Sequence, residues 1–585
     1  MLYPQENALR ELRLLDGFWE FQADPEEAGE ERGWFQGLPD PEPMAVPASF
    51  NELTSRPELR DFLGSVWYFR RFFVPASWAG KRIWLRFGAV NYRAAVWVNG
   101  EKLTDWEGGH LPFGAEATAL LRAGEENTLA VKVNNLLDWT TVPPGRVVRP
   151  PGGERPRLEQ YFDFFHYAGI HRPVHLFATG PASLTDLTIR ARPAAGKAVV
   201  SWELQRDGEE PHRRRIRILE RGEVVAETET AEDRGELAFE PCRLWGPGHP
   251  HLYRFRADLL DREGRMLDSY TEEFGIRTVA LEGGRFLVNG EPIYLKGCCR
   301  HEDFHLVGRG LLLPLIQKDL NLLRWLGANS FRASHYPYAE ETMMLADRLG
   351  LLVIDECPAV GFNAWGAFPV FVPGRVDERT LATHLRLMEA LCRRDKNHPS
   401  VIAWSVANEP ASEEEGSIPY FTKIIEFTRT LDPTRPVTFV ASAPAERDRC
   451  GHLVDFIAVN RYFGWYSEEG RLDLAALRLR EDLRTWHERY GKPVMLTEFG
   501  ADTVAGLHTL PAQMFSEEYQ VEFLRTYARV LDGLDFVIGE HVWNLADFMT
   551  NQNIRRVVGN RKGVFTRERQ PKMAAHYLRE RWTAM

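Results

Sequence analysis

Cysteine is scarce in this sequence, and its spacing argues against disulfides and zinc sites. A disulfide framework is typical of small secreted domains that are dense in cysteine, whereas this chain has 6 cysteines in 585 residues. No pair has the short spacing of a zinc finger. We therefore expect reduced and mostly buried thiols at Cys242, Cys298, Cys299, Cys357, Cys392 and Cys450.

An excess of positive charge is also lacking. The chain has 72 Lys and Arg residues against 83 Asp and Glu residues, which gives a formal net charge of −11. A protein that binds the phosphate backbone of a nucleic acid needs a basic surface to neutralise it. The acidic balance therefore leads us to expect no nucleic-acid partner.

Long hydrophobic runs are missing as well. No apolar stretch approaches the roughly 20 residues that a membrane-spanning helix requires. The first residues, Met1 to Glu6, do not show the basic segment followed by an apolar segment that marks a secretory signal. We therefore expect a soluble, cytoplasmic protein that has no membrane partner.

The length and the strand pattern predict several domains. At about 150 residues per domain, 585 residues suggest three or four domains. Residues 1–181 show short alternating strands separated by Gly, Pro and Asn turns, a pattern typical of a β-sandwich. Residues 182–278 show further short strands, such as the strictly alternating Arg215–Ile218, over a length that fits one immunoglobulin-like sandwich.

Residues 279–585 follow a different pattern, in which apolar strand runs alternate with helical periodicity. This is the pattern of a parallel α/β structure, and eight strands fit a closed (β/α)8 barrel. Helix-like stretches include Leu315–Leu326, Thr380–Asp395 and Glu517–Leu531. The strand candidates are Ile293–Cys298, Ser330–Ser334, Leu351–Asp355, Val401–Val406, Val437–Val440, Phe456–Val459, Val494–Thr497 and Phe536–His541.

Two glutamates at predicted strand ends indicate glycosidase chemistry. Glu409 lies in Trp404–Pro410 after the fourth barrel strand, and Glu498 lies in Val494–Gly500 after the seventh. Because catalytic residues of such barrels lie at the C-terminal strand ends, we expect both carboxyls in one pocket. Two carboxyls about 5–5.5 Å apart can protonate a leaving oxygen and attack the anomeric carbon. The residues themselves leave the division of roles between them open.

Five segments, in a fixed order, resemble the signature of glycoside hydrolase family 2. They are Gly297–Asp303, Ser334–Pro337, Asp395–Ser400, Trp404–Pro410 and Thr497–Gly500. The resemblance covers essentially the whole chain and implies a jelly-roll domain over 1–181, an immunoglobulin-like β-sandwich over 182–278 and a catalytic TIM barrel over 279–585. It also implies that Glu409 is the acid/base, that Glu498 is the nucleophile and that Asn408 hydrogen-bonds the sugar 2-hydroxyl.

The segment Arg555–Thr566 is similar to the Asn-Xaa-Lys loop of family members that cleave β-glucuronides. A uronic acid carries a carboxylate at C6, which amide and cationic donors can select. Asn560 and Lys562 would supply an amide and an ammonium, and Arg556 a guanidinium. From its charges alone, the segment also reads as a solvated basic loop. With the resemblance, we expect retaining hydrolysis of β-D-glucuronides.

The same resemblance assigns further residues to the sugar site. At the exit of the jelly-roll domain, Asp163 would reach a sugar hydroxyl. After the sixth barrel strand, Asn460 would line the site, Tyr462 would hydrogen-bond the nucleophile and Tyr466 would bind the uronate.

Aromatic and imidazole side chains complete the predicted site. Trp543, after the eighth strand, would stack on the apolar face of the sugar ring. His335 would line the pocket with its polar ring. Although His is a common metal ligand, no third ligand at a fitting spacing accompanies His301 and His335, so we expect no metal and no cofactor.

Three other functions fit parts of the same pattern. A β-galacturonidase or dual uronidase would use the same carboxylate donors, because its substrate differs only at C4. A β-galactosidase would have no use for Asn560 and Lys562. A non-catalytic sugar-binding protein would not need both glutamates. The resemblance further implies a homo-oligomer, a dimer or a tetramer.

Overall fold

The structure is a computed structural model that describes residues 1–152, 155–208 and 210–585. Within these ranges, no helix has both the length and the apolar character needed to cross a membrane. Two β-sandwiches are followed by a closed parallel barrel of eight strands. The predicted fold class is thereby confirmed.

The N-terminal sandwich consists mainly of a six-stranded and a four-stranded antiparallel sheet. Its strands are β1 (Glu11–Leu14), β2 (Gly17–Asp24), β3 (Glu42–Val46), β4 (Ser65–Phe73), β5 (Arg82–Phe87), β6 (Val90–Asn91), β7 (Arg93–Val98), β8 (Glu101–Glu107), β9 (Phe113–Glu116), β10 (Glu126–Asn134), β11 (Gly145–Val148), β12 (Arg157–Gln160), β13 (Gly169–Ile170) and β14 (Val174–Thr179), with the short helix α1 (Pro57–Arg60). The larger sheet has the order β3-β2-β4-β10-β7-β8 and the smaller one β1-β14-β5-β9.

Strand β4 shows how the sequence defines the two faces of the larger sheet. Val66 and Tyr68 belong to the main core of the sandwich. Trp67 and Phe69 belong instead to a smaller apolar cluster that includes Trp34. This division follows from the two-residue period of a strand, which points successive side chains to opposite faces.

The second sandwich packs a three-stranded sheet, β15-β16-β19, and a four-stranded sheet, β18-β17-β22-β23, around one apolar core. Its strands are β15 (Ala182–Ala194), β16 (Lys197–Gly208), β17 (Arg213–Glu220), β18 (Glu223–Thr230), β19 (Arg234–Phe239), β20 (Trp245–Gly246), β21 (His249–Pro250), β22 (Tyr253–Leu260) and β23 (Met266–Phe274). In the predicted alternating run, Ile216 and Ile218 are buried, while Arg215 and Arg217 are partly exposed. Strand β14 ends at Thr179 and β15 begins at Ala182, and we propose the domain boundary between them.

A small sheet of three strands precedes the barrel: β24 (Val279–Glu282), β25 (Arg285–Val288) and β26 (Glu291–Pro292). Phe286 and Val288 pack in one cluster with residues from the beginnings of barrel strands, such as Leu295 and Leu352. The sheet therefore covers the N-terminal end of the barrel and leaves the opposite end for a site.

The barrel strands lie within two residues of the predicted bounds. They are β27 (Leu295–Cys299), β28 (Ser330–Arg332), β29 (Leu352–Glu356), β30 (Val401–Asn408), β31 (Val437–Ala441), β32 (Ile457–Asn460), β33 (Val494–Glu498) and β34 (Val537–Val542). They pair in sequence order and close between β27 and β34. All carboxyl ends of the strands therefore point to one mouth of the barrel.

Seven helices accompany the barrel: α2 (Leu313–Leu326), α3 (Glu340–Leu349), α4 (Glu378–Asp395), α5 (Ser417–Leu431), α6 (Leu472–Tyr490), α7 (Glu517–Leu531) and α8 (Met573–Ala584). Local sequence explains two of their starts. Asp377 and Thr380 form a capping box at α4, and the Ser516 hydroxyl accepts from the Tyr519 N–H at α7, each of which satisfies a free backbone donor. Residues 442–456, which the structure describes throughout, connect β31 to β32 with no helix.

A buried ion pair joins the N-terminal sandwich to the barrel. Arg86 of β5 donates through Nη2 to both carboxylate oxygens of Glu340, at 2.8 Å each, and Glu340 begins α3. The Arg86 side chain has no exposed surface and that of Glu340 is 9% exposed. Removal of either partner would leave the other charge buried without compensation.

We expect Arg86→Ala to destabilise the protein by about 3–5 kcal/mol, because it leaves the Glu340 carboxylate unpaired in the interface. The measurement is a calorimetric melting curve. Arg471→Ala is the matched control, since the Arg471–Asp473 pair is largely exposed, and should cost at most about 1 kcal/mol. Equal melting of the Arg86 variant and the wild type would contradict the assigned role of the pair.

Candidate active site

The two predicted catalytic glutamates lie at the carboxyl ends of their strands, in the barrel mouth. Glu498 is the last residue of β33, and its side chain is 5% exposed. Glu409 directly follows β30 and has a φ of 48°, in the left-handed region that residues with a Cβ rarely adopt. The Glu409 N–H donates to the Val440 carbonyl at 2.7 Å, so a neighbouring strand holds this strained backbone in place.

Asn460, at the end of β32, connects the two strand ends. Its Nδ2 donates to Glu409 Oε1 at 2.8 Å and to Asn408 Oδ1 at 3.2 Å. Its Oδ1 accepts from the Thr497 hydroxyl at 3.0 Å. Since Thr497 directly precedes Glu498, one amide ties the orientation of both predicted catalytic segments together.

A guanidinium and a phenol contact Glu498. Arg332 Nη2 donates directly to Oε1, and the Tyr462 hydroxyl donates to Oε2 at 2.8 Å. The Nε2 atom of His335 lies 3.6 Å from Oε1. We did not single out Arg332 from the sequence, although a charged residue within a predicted barrel strand was a usable signal.

Glu356 holds two of these neighbours of Glu498, Arg332 and His335, in place. Its oxygens accept from Arg332 Nη1 at 3.0 and 2.7 Å and from the Ser405 hydroxyl at 2.7 Å, and one lies 2.9 Å from His335 Nδ1. The side chains of Arg332 and Glu356 have no exposed surface. Glu356 was also missed; it ends β29, so its place at a strand end could have drawn attention to it.

The charges around the two glutamates distinguish them. Burial raises the pKa of Glu498, the Arg332 guanidinium lowers it, and the neighbouring Glu409 raises it. Burial also raises the pKa of Glu409, against a lowering by the Asn460 hydrogen bond. Because interacting carboxyls titrate as a pair, ionisation of one favours the protonated form of the other. The direct contact with the Arg332 guanidinium favours the carboxylate at Glu498 and the proton on Glu409.

Lys562 lies fully buried in an aromatic cage. Its Nζ is 5.6 Å from the ring centroid of Tyr462, 5.4 Å from that of Trp465 and 4.6 Å from that of Tyr466. It donates to the Tyr466 hydroxyl at 2.8 Å and directly to the Asp502 carboxylate. Lys562 and Tyr466 were predicted to share a site, and the structure brings them together.

Arg556 links the jelly-roll domain to this cluster. Its Nη2 donates to Asp163 Oδ2 at 2.6 Å and to the Tyr466 hydroxyl at 2.6 Å, and its Nη1 donates to Asp502 at 3.2 Å. Asn560 Nδ2 also donates to Asp163 Oδ2, at 2.9 Å. The four predicted residues Asp163, Tyr466, Arg556 and Asn560 therefore form one network, which includes Asp502 as a member that the sequence analysis missed.

Two other basic residues near this loop, Arg567 and Arg569, have structural partners. Arg567 pairs with Glu52 of the N-terminal sandwich at 3.0 Å, and Arg569 pairs with the buried Asp319 at 2.8 Å. The reading of the whole cluster as a solvated basic loop is therefore wrong, because most of its charges are satisfied inside the protein.

Aromatic side chains pack beside the glutamates. Trp543 is 4% exposed and stacks on His335 with centroids 4.9 Å apart and an interplanar angle of 15°. His301 and Phe548 meet Trp543 edge-on, at 5.3 and 5.7 Å. Both residues predicted to line the sugar pocket, Trp543 and His335, thus lie in contact at the barrel mouth.

The cysteines and acidic clusters do not form a metal centre in the part of the chain that the structure describes. Within residues 1–152, 155–208 and 210–585, no group of three or more His, Cys, Asp and Glu side chains is arranged to hold an ion. All six cysteines are free thiols, and five of them are buried.

Comparison with known proteins places the whole chain among sugar-cleaving enzymes. Residues 279–585 match the model of the glycosyl hydrolases family 2 TIM barrel domain, residues 12–180 match the family 2 sugar binding domain, and residues 182–277 match a third family 2 model. A curated β-glucuronidase of Paenibacillus borealis is 46% identical over 100% of this chain and 99% of its own length.

Solved structures show the same similarity. The β-D-glucuronidase of Dictyoglomus thermophilum superposes with a TM-score of 0.95 at 45% identity, over 100% of this chain and 99% of that one. The β-glucuronidase of Ruminococcus gnavus in complex with D-glucuronic acid superposes with a TM-score of 0.94 at 42% identity, over 99% of each chain. The three matched models together with these relatives show that the chain belongs to glycoside hydrolase family 2.

Proposed function

We propose that this chain is a retaining β-glucuronidase, which hydrolyses β-D-glucuronides through a covalent glycosyl-enzyme. The observation that carries this proposal is the cluster of Lys562, Tyr466 and Asn560 beside the buried Glu498 and the partly buried Glu409. Its ammonium, phenol and amide are the donors that a C6 carboxylate requires. The relatives reported above carry the same activity in their names, which supports the assignment.

In the first step, the Glu498 carboxylate attacks the anomeric carbon while Glu409 gives its proton to the departing glycosidic oxygen. The Arg332 guanidinium and the Tyr462 hydroxyl keep Glu498 ionised and orient its two carboxylate oxygens. The bond between the anomeric carbon and the leaving oxygen breaks as the bond to Glu498 forms. The aglycone leaves as a neutral alcohol.

In the second step, Glu409 has become a carboxylate and removes a proton from water, which attacks the same anomeric carbon. The ester bond to Glu498 breaks, and its electron pair returns to the Glu498 carboxylate. Both glutamates thereby regain their starting protonation. Two inversions at one carbon leave the β configuration of the released glucuronic acid unchanged.

Asn408 is proposed to donate to the 2-hydroxyl of the sugar. Its Oδ1 already accepts from Arg332 Nη1 at 3.3 Å and from Asn460 Nδ2 at 3.2 Å. An amide side chain has a separate pair of N–H donors, so these contacts fix the Asn408 amide and, among the residues that the structure describes, leave its Nδ2 free for substrate. Such a hydrogen bond strengthens as charge develops in the transition state.

Tyr466 is proposed to donate a hydrogen bond from its hydroxyl group to the uronate carboxylate. Its oxygen accepts from both Lys562 Nζ at 2.8 Å and Arg556 Nη2 at 2.6 Å. Since a hydroxyl has two lone pairs and one proton, two cationic donors leave its O–H to act as a donor. Arg556 thereby supports uronate binding through Tyr466.

The remaining assignments follow the same geometry. Asp163 is proposed to accept a hydrogen bond from a sugar hydroxyl. Arg556 and Asn560 both donate to its carboxylate and hold it in position. The stacked rings of His335 and Trp543 are proposed to line the sugar. A cytoplasmic location and a homo-oligomeric state stay predictions.

We expect Glu498→Ala to abolish release of p-nitrophenol from its β-glucuronide, because alanine has no carboxylate to form the glycosyl-enzyme. The matched control is Glu488→Ala on α6, outside the site. Full turnover by the Glu498 variant would contradict the proposed mechanism. A β-galacturonide and a β-galactoside are assayed in parallel, and preference for either would replace the substrate named here.

Lys562→Ala should raise KM for the β-glucuronide by about 10- to 100-fold, the effect of losing a charged hydrogen bond. The control is Lys423→Ala, whose ammonium pairs with Glu378 on the surface. The measurement is initial rate against substrate concentration. An unchanged KM in the Lys562 variant would show that the uronate binds elsewhere.

The pH dependence of kcat/KM should be bell-shaped, with its alkaline limb above the ordinary pKa range of a glutamate. Burial raises the pKa of both carboxyls. Activity falls at low pH as Glu498 gains a proton, and at high pH as Glu409 loses its own. With a substrate that carries an activated leaving group, the Glu409→Gln variant should retain the acidic limb of the pH profile and lose the alkaline limb. Retention of the alkaline limb in that variant would argue against Glu409 as the acid.

A further inference from the structure

Asp502 lies at the centre of the cation network and has no role in the mechanism proposed above. It follows β33 by four residues, and its side chain is 3% exposed. One oxygen, Oδ1, accepts from the backbone N–H of Arg561 at 2.8 Å. The other, Oδ2, accepts from Arg556 Nη1 at 3.2 Å and directly from Lys562 Nζ.

We propose that Asp502 is the positioning residue that makes this site selective for uronides, because it fixes the Lys562 ammonium and the Arg556 guanidinium where the substrate carboxylate binds. This inference rests on the proposed function. Asp502 itself does not touch the sugar in this account; it acts through the two cations.

The lysine needs such a partner. Its long side chain has four rotatable bonds, and its ammonium is a point charge without a fixed direction. Among the residues that the structure describes, Asp502 and the Tyr466 hydroxyl take two of its three N–H donors. The third donor is thereby given a defined direction, toward the space that the proposal assigns to the uronate.

The negative charge of Asp502 has the opposite effect on binding, because it repels the substrate carboxylate. This repulsion has to be compared with the positioning effect. Asp163 and Asp502 balance Arg556 and Lys562, and a bound uronate then adds one negative charge to a neutral cluster. Removal of the Asp502 charge would lessen that repulsion. The positioning effect of Asp502 outweighs its repulsion of the uronate, because its two oxygens hold different parts of the network. Oδ1 holds the loop backbone at Arg561, and Oδ2 holds both cations.

An asparagine in this place could not reproduce the arrangement. It has one acceptor oxygen, and its NH₂ group would face either the Arg561 N–H or the two cations, donor against donor. Either the loop backbone or Lys562 would have to move. A carboxylate is therefore required by geometry, which is why the proposal concerns position as well as charge.

The test compares two inhibitors that differ only at C6: D-glucaro-1,5-lactone, which carries a carboxylate, and D-glucono-1,5-lactone, which carries a hydroxymethyl group. Their inhibition constants are measured against β-glucuronide turnover in the wild type, Asp502→Asn and Asp502→Glu. In Asp502→Asn, the constant for the acidic lactone should rise about 10-fold or more, the effect of a displaced charged donor. The constant for the neutral lactone should stay unchanged, and Asp502→Glu should restore part of the loss.

Other results overturn the inference. An equal rise for both lactones would show a structural role only, and tighter binding of the acidic lactone would show that Asp502 repels the uronate. Asp473→Asn on the exposed face of α6 controls for the substitution itself. If Asp502→Asn does not fold, as judged by melting, Asp502→Glu alone must still weaken the acidic lactone selectively. A wild type without uronide turnover would instead refute the proposed function.

Discussion

The site depends on one buried contact, the guanidinium of Arg332 against the carboxylate of Glu498. Taking a carboxylate out of water favours its protonated form, which cannot attack a carbon. Arg332 opposes this, and Glu356 holds the guanidinium in place by accepting hydrogen bonds from its Nη1. The ionised state of the proposed nucleophile thus depends on three strand ends, β28, β29 and β33, and on the closed barrel that brings them together.

A second group of charges serves a different purpose. Asp163 comes from the N-terminal sandwich, and its partner Arg556 lies 393 residues further along the chain. The same loop carries Lys562, buried among aromatic rings. Ion pairs between the sandwich and the barrel, such as Arg86–Glu340, hold the two domains in the relative position that this shared site requires. Domain packing and the proposed sugar selection are therefore coupled.

The sequence predicted the fold well because buried parallel strands read as apolar runs that helical periodicity separates. It also singled out Glu409 and Glu498, since Glu498 directly follows a predicted strand and Glu409 follows another after Ala407 and Asn408. The partners Arg332, Glu356 and Asp502 were missed, because each works through a contact between distant strands that sequence spacing does not show. The basic cluster around residue 560 illustrates the same limit: Arg567 and Arg569 join domains, whereas Lys562 lies in the proposed site.

The most direct test of the central claim is to trap the intermediate. A 2-fluoro glucuronyl fluoride should react with the enzyme and leave a slowly hydrolysed ester, because fluorine at C2 disfavours the oxocarbenium-like transition state. Intact-mass measurement and peptide mapping would then locate the sugar. We expect one glucuronyl group per chain, on the peptide that contains Glu498. A label on Glu409, or no label on an enzyme that still turns over glucuronides, would contradict the proposed mechanism.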